Sequence, residues 1–136
     1  MTDPVRRGTR IAHIGIAVRA LHELLPFYRD VLGMPEVSLD DADGAAITGL
    51  AAGESLVELL EATSDDSPIG KYLAKRGPGI HHVCFAVDDL DGTLQRCRDV
   101  GLRLIDETPR IGAEGKRIAF LHPSATGGVL VELSEY

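Results

Sequence analysis

The chemistry this chain can offer lies in four residues set in two matched contexts. Leu56-Val57-Glu58-Leu59-Leu60-Glu61 returns as Leu130-Val131-Glu132-Leu133-Ser134-Glu135. Likewise, Ile11-Ala12-His13-Ile14-Gly15-Ile16-Ala17-Val18 is echoed by Ile80-His81-His82-Val83-Cys84-Phe85-Ala86-Val87. Glu58 and Glu132 each interrupt an apolar run of strand character. A carboxylate in such a run points to solvent, pairs with a cation or binds a metal, because burying a bare charge is costly. A single strand histidine is more often a satisfied core residue than a ligand. Recurrence of both types at equivalent places shifts the balance. Two imidazoles and two carboxylates suit a divalent transition metal with positions left for water or substrate.

Strand side chains alternate between faces. His13, Gly15 and Ala17 therefore share one face, and His82, Cys84 and Ala86 share its equivalent. The small neighbours leave room beside each histidine. If the two copies pack about a pseudo-two-fold axis, His13, Glu58, His82 and Glu132 converge. His81 has the opposite parity and faces away. His22 falls on a helix with no counterpart in the repeat and reads as surface. His122, in Phe-Leu-His-Pro, is open between a structural hydrogen bonder and a cofactor contact.

The elements that must position these residues follow from the repeat. A shift of 69 residues aligns 11–31 with 80–100, and nine of those 21 positions are identical. This marks an internal duplication, too long in period and too few in copies for a solenoid. Residues 1–136 read as one domain, with module one near 10–62, a linker helix within 63–78, and module two near 79–135. In module one, 10–18 is a strand, and the apolar stripe Leu21, Leu24, Leu25, Tyr28, Val31, Leu32 makes 21–32 a helix closed by Gly33. Pro26 belongs to its first turn or bends it. Short strands at 35–39 and 45–50 flank the turn-prone Asp40–Gly44, and strand 55–61 carries Glu58. Ser67-Pro68 opens the linker helix, about 68–76. Module two repeats the plan: strand 80–87, a helix near 90–100 opened by Asp88-Asp89, strands at 102–106 and 117–122, and strand 128–134 with Glu132. Between them lies a basic, glycine-bearing loop, 109–116.

The chain's 136 residues suit one compact domain. A net charge of −7 excludes general nucleic-acid binding, which needs a basic surface. The two cysteines, Cys84 and Cys97, make no disulfide framework and read as buried thiols. No apolar run approaches a membrane span. No signal-peptide core precedes the first strand, so the expectation is a cytoplasmic protein.

Several stretches together resemble the methylmalonyl-CoA epimerase family of the vicinal oxygen chelate superfamily, over about 10–135. The stretches His-Ile-Gly-Ile-Ala-Val at 13–18 and Phe-Tyr-Arg-Asp-Val-Leu-Gly at 27–33 are common to the superfamily. More specific to the epimerases, taken together, are Val-Glu-Leu-Leu-Glu-Ala-Thr at 57–63, Asp-Ser-Pro-Ile at 66–69, Gly-Ile-His-His at 79–82 and Pro-Arg-Ile-Gly at 109–112. Gly-Lys at 115–116, Phe-Leu-His-Pro at 120–123 and Gly-Gly-Val-Leu-Val-Glu-Leu at 127–133 complete that set. The resemblance implies an α+β fold of two βαβββ modules forming a cupped mixed sheet. It also implies one divalent ion on His13, Glu58, His82 and Glu132, with cobalt, zinc, manganese, nickel and magnesium all admissible.

The implied reaction interconverts (2R)- and (2S)-methylmalonyl-CoA, within propionate-type metabolism. The metal would stabilise the charge that builds on the thioester oxygen as the α-proton leaves. The implied partner is a CoA thioester, and the implied assembly a homodimer. Its phosphates need local cations in an acidic protein. Arg110, Lys116 and Arg117 at the glycine loop are the candidates, with His122 as a further contact and Lys71, Lys75 and Arg76 behind them.

The chain departs from the family at one place. Relatives have a Pro-Glu-Gln/His-Gly turn where this chain has Asp41-Ala42-Asp43-Gly44, and some carry a glutamate base on the next strand. That glutamate falls on Ile47 here, and Glu58 replaces a family glutamine. Glu58 and Glu132 are therefore expected to act as catalytic bases as well as ligands, with Asp43 or Glu114 as the alternative acids. Two other functions fit the residues less well. A glyoxalase acting on a glutathione hemithioacetal uses a similar His/Glu set, and a metal-free drug-sequestering protein of the same fold needs none. An extradiol dioxygenase would use two histidines and one carboxylate on iron.

Overall fold

The computed structural model describes residues 8–136. They fall in two compact units: His13–His81, and His82–Tyr136 together with the residues up to Ala12. The first unit takes in most of β1 (Arg10–Val18), then β2 (Glu36–Ser38), β3 (Ala45–Ala52) and β4 (Ser55–Ala62). Their order is β2-β3-β4-β1, with β1 parallel to β4 and the other neighbours antiparallel.

Helix α1 (Leu21–Leu25) runs directly into a π-helical segment, Pro26–Val31. The sequence predicts one helix over 21–32. The span is right, and the change of winding begins at Pro26, which has no N–H to donate one turn back. Beyond it the turn widens, and the Leu32 N–H donates to the Phe27 carbonyl five residues earlier at 3.0 Å. The apolar stripe Leu21, Leu24, Leu25 and Tyr28 covers Val18, Leu50 and Leu59 on one face of the sheet.

Helix α2 (Pro68–Arg76) starts as its sequence predicts, with the Ser67 hydroxyl accepting from the Gly70 N–H at 3.0 Å. Its Ile69, Tyr72 and Leu73 pack with Ala17, Ala45 and Leu60. Leu60 follows Leu59 in β4, so by strand alternation α2 lies over the opposite face from α1.

The second unit repeats the order with most of β5 (Gly79–Val87), then α3 (Leu90–Asp99), β6 (Arg110–Ile111), β7 (Arg117–Leu121) and β8 (Val131–Glu135). The strand order is β5-β8-β7-β6, again with the first and last strands of the module parallel. Asp89 caps α3 by accepting from the Gly92 N–H at 3.0 Å. Leu90, Leu94 and Cys97 of that helix bury against Val87, Ala119, Leu121, Val131 and Leu133. Leu90 and Leu94 are wholly buried, each worth about 1.5–3 kcal/mol against exposure. Each module is thus a βαβββ unit with a mixed sheet, the α+β plan expected from the duplication.

Residues 102–106 do not form the predicted strand. One bridge, Leu104 to Leu121, is all that pairs there, and the edge strand is β6 instead. The N–H groups of Ile105 and Asp106 both donate to the Phe120 carbonyl, at 2.9 and 3.2 Å. Two residues thus oppose one, which breaks a ladder as a bulge does. The Asp106 carboxylate then takes the Phe120 N–H at 2.8 Å, standing in for a strand partner.

Candidate metal centre

In the first unit Gly15 of β1, Glu58 of β4 and Gly49 of β3 are register partners in a row across the sheet. Register partners share a face, and His13 shares it by its two-residue offset from Gly15. The Glu58 Oε2 stands 3.1 Å from Nδ1 of His13. Both residues are buried, with 3% exposure at His13 and 2% at Glu58.

The second unit builds the same arrangement. Cys84 of β5, Glu132 of β8 and Phe120 of β7 are register partners. Nε2 of His82 lies 3.1 Å from Oε1 of Glu132, and both residues are 5% exposed. The Cys84 sulfur and a Glu132 oxygen are within 4.8 Å of each other. The α3 core uses the alternate residues, Ala119, Leu121 and Leu133, so these donors occupy the face that the helix leaves open.

Two donors bound to one ion at about 2.0–2.2 Å and at right angles stand about 3 Å apart. Both His–Glu pairs meet that spacing, and the nitrogen and oxygen donors suit a divalent ion. A neutral imidazole donating to a carboxylate has the same separation. The buried, duplicated placement sets these pairs apart from surface ion pairs.

The remaining expected residues take distinct places. His81 is half-buried and meets the Tyr72 ring edge-on at 4.8 Å, away from the donors as its parity requires. His22 is exposed. His122 accepts from the Ser124 N–H through Nδ1 at 3.0 Å and lies 2.8 Å from the Ser124 hydroxyl, capping the 3-10 turn Pro123–Ala125. Arg117 reaches the Asp91 carboxylate with both terminal nitrogens, at 2.9 and 3.1 Å, and Glu135 at 3.0 Å. Those contacts hold the Arg117 guanidinium above its ordinary pKa and the Asp91 carboxyl below its own. Arg110 donates from Nε to Asp106 at 3.2 Å, and its guanidinium lies 5.5 Å from the centre of the Phe120 ring. Ile47 shares the Glu58 face, paired with Leu60 and packed in the α2 cluster.

Sequence reasoning missed Phe120. Its ring meets His82 edge-on at 5.6 Å and 77°. Alternation from Ile118 puts 118 and 120 on one face, but only the register with Glu132 reveals that this is the donor face.

Residues 12–120 match the glyoxalase/bleomycin resistance protein/dioxygenase superfamily. The chain belongs to that superfamily. Within it, the chain is 37% identical over 131 residues to the ethylmalonyl-CoA/methylmalonyl-CoA epimerase of Cereibacter sphaeroides, covering 93% of this chain and 97% of the relative. The crystal structure of methylmalonyl-CoA epimerase from Mycobacterium tuberculosis is similar at 40% identity and a TM-score of 0.87, over 92% of this chain and 86% of that one. A methylmalonyl-CoA epimerase in complex with methylmalonyl-CoA and NH4+ is similar at 40% identity and a TM-score of 0.88, over 94% of both chains. Superfamily membership accounts for the duplicated βαβββ plan.

Proposed function

We propose that this protein is a metal-dependent epimerase that interconverts (2R)- and (2S)-methylmalonyl-CoA. The observation that carries the proposal is the pair of buried His–Glu couples, His13 with Glu58 and His82 with Glu132, placed alike in the two modules. It is supported by the relatives, among them the epimerase whose structure holds methylmalonyl-CoA. The proposed ligands of one divalent ion are His13, Glu58, His82 and Glu132. When bound, the ion supplies positive charge beside the thioester oxygen, where charge builds as the α-proton leaves.

The protein's own groups then have to hold the acyl group, move the proton and keep water out. Glu58 and Glu132 are the proposed proton carriers, through their carboxylate oxygens, with one accepting and the other returning the proton. Ile47 has no proton-accepting atom. Phe120, against His82, shields that side of the donor face from water. Lys116 is the proposed contact for the CoA phosphates, with Arg117 and His122 nearby in sequence. Among the described residues no helix is long and apolar enough to cross a membrane. A cytoplasmic setting is proposed from the two buried thiols read in the sequence, and a homodimer from the resemblance to the family.

The test is proton NMR of methylmalonyl-CoA in deuterated water with the metal-loaded protein. Loss of the α-proton signal and interconversion of the epimers is the expected result. A retained α-proton, with turnover of a glutathione hemithioacetal instead, would reassign the protein as a glyoxalase. Purification without a bound ion, and no ion uptake on titration, would make the His–Glu couples structural and the protein a binder.

A further inference from the structure

We propose that Val37, Leu39 and Ile47 form an aliphatic subsite beside Glu58 that takes the alkyl branch on the α-carbon of the acyl group, with Leu39 limiting its length. The inference rests on the epimerase reading and deepens it, naming the substrates as 2-alkylmalonyl thioesters. It is drawn wholly within the first unit.

Val37, Gly49 and Glu58 are register partners in one row across β2, β3 and β4, so they share the donor face. Ile47, two residues from Gly49 along β3, lies on that face as well. On it, the strand positions of β2, β3 and β4 carry glycine or an apolar side chain everywhere except at Glu58. The opposite face of the same strands carries Glu36, Ser38, Thr48 and Glu61. Polar residues are thus not excluded from these strands as such.

Leu39 leaves β2 but keeps to the strip. Its Cδ1 is 2.9 Å from the position that a Cβ on Gly49 would take. Cβ atoms of register partners stand about 4.5–5.5 Å apart, so Leu39 fills the place beside Glu58 that a larger residue 49 would occupy. Val37, Leu39 and Ile47 are each half-buried. Val37 and Leu39 belong to neither the α1 nor the α2 packing cluster. Apolar surface beside Glu58 is therefore left for a ligand to cover.

The two sides of Glu58 differ in chemistry. Toward β1 stands His13, with Nδ1 3.1 Å from Oε2. Toward β3 and β2 stands the aliphatic strip. A proton carrier has to meet the α-carbon, which bears a hydrogen, a carboxylate, the thioester carbonyl and the alkyl branch. The two oxygen-bearing groups suit the polar side. The branch is the group that gains by covering apolar surface, and it lies against Leu39 and Ile47.

The experiment compares kcat/KM for α-proton exchange of methylmalonyl-CoA and ethylmalonyl-CoA, which differ by one methylene. It uses the metal-loaded full chain and its Leu39→Ala, Leu39→Val and Leu39→Phe variants. One methylene in an apolar pocket is worth about tenfold or more in kcat/KM. Leu39→Ala should raise the ethyl-to-methyl ratio by that order, Leu39→Val should raise it by less, and Leu39→Phe should lower it. The ratio is internal to one preparation, so loss of folded protein cancels from it.

A ratio unmoved in all three variants would overturn the proposal. So would a shift of the same sign in Leu39→Ala and Leu39→Phe. An unaltered protein that exchanges the α-proton of neither thioester fails the epimerase reading itself and the subsite with it. A ratio that stays fixed while exchange proceeds fails the subsite alone.

Discussion

Ile47 and Leu60 are register partners across β3 and β4, the next same-face pair beyond Gly49 and Glu58. The position where the family resemblance expects a glutamate base is therefore on the donor face and apolar. Ile47 packs with Leu60, Ile69, Tyr72 and Leu73, so the site has no acid to recruit there without opening the α2 contact. Glu58 stands one pair away. Its replacement by glutamine keeps a ligating oxygen and removes the ability to take a proton. Metal-loaded Glu58→Gln should still bind the ion and should lose about 10²–10⁴-fold in α-proton exchange from one epimer, the usual contribution of a general base. Proton NMR in deuterated water, started from each epimer in turn, reads this directly. Full exchange from both would remove Glu58 from the proton path and point to Asp43.

Much of this arrangement was legible before any coordinates. The repeat of His13 and Glu58 at His82 and Glu132 is visible because a gene duplication preserves residue type at fixed spacing. Parity placed His81 on the wrong face, and strand alternation is local enough to trust. The linker helix could be bounded at 68–76 because Ser67, Pro68 and Gly77 are chemical punctuation. What could not be read was register and winding. The bulge at Ile105 and Asp106 depends on a side chain replacing a backbone partner, and nothing in 102–106 announces it. The π-winding after Pro26 shows only as an awkward proline. Arg110 and Arg117 fall on opposite faces only because β6 pairs with β7 in one register.

Ion binding should raise stability, because the unfolded chain has no such donor set. An ion at a hundredfold excess over its Kd stabilises by about 2.7 kcal/mol. Treatment with a chelator should lower Tm, and re-addition of a divalent ion should restore it. In Glu132→Ala the melting curves with and without ion should coincide. A metal-induced rise of unchanged size in that variant would show that Glu132 is not a ligand.

Gly70 has no space for a side chain. A Cβ there would meet the Ser64 and Asp65 carbonyl oxygens at 2.3 and 2.7 Å. These are backbone atoms held by the turn that caps α2, where the Ser67 N–H and hydroxyl both donate to the Ser64 carbonyl. Gly70→Ala should therefore cost about 1–3 kcal/mol despite the better helix propensity of alanine. Urea unfolding should give a lower midpoint with an unchanged slope. Gly115 has positive φ and open space around its Cβ position, so Gly115→Ala is governed by backbone strain alone.

The Asp91 carboxyl is held below its ordinary pKa, first by its hydrogen bonds to Arg117. A carboxyl whose folded pKa is depressed adds stability that is present above its unfolded value and is lost as pH falls through the folded one. Arg117→Gln should return Asp91 towards the usual carboxylate range. The variant should melt below the unaltered protein at neutral pH, and the gap should close in acid once Asp91 is protonated in both. Both groups are exposed, so the gap is small. Melting curves across pH, with a carbon-13 titration of Asp91, test this. A gap independent of pH would mean that Arg117 acts through packing.

Lys116 and Arg117 are adjacent cations at the end of the same loop, yet their surroundings assign them different work. Arg117 is compensated by Asp91 and Glu135. Lys116 is half-buried, and its backbone carbonyl accepts from the Gly112 N–H at 2.9 Å. A phosphate-bearing ligand gains most from the cation whose charge is not already balanced. Charge reversal at Lys116 should therefore raise KM for the CoA thioester several-fold, with kcat little changed, because the contact is made equally in ground and transition states. The effect should shrink as ionic strength rises, since the loop is open to solvent and its charges are screened. Steady-state kinetics of Lys116→Glu at low and high salt is the measurement, with Lys116→Met separating lost attraction from added repulsion. A KM that stays unchanged through both substitutions would take the CoA phosphates away from this loop and direct the search to Lys71, Lys75 and Arg76 on α2.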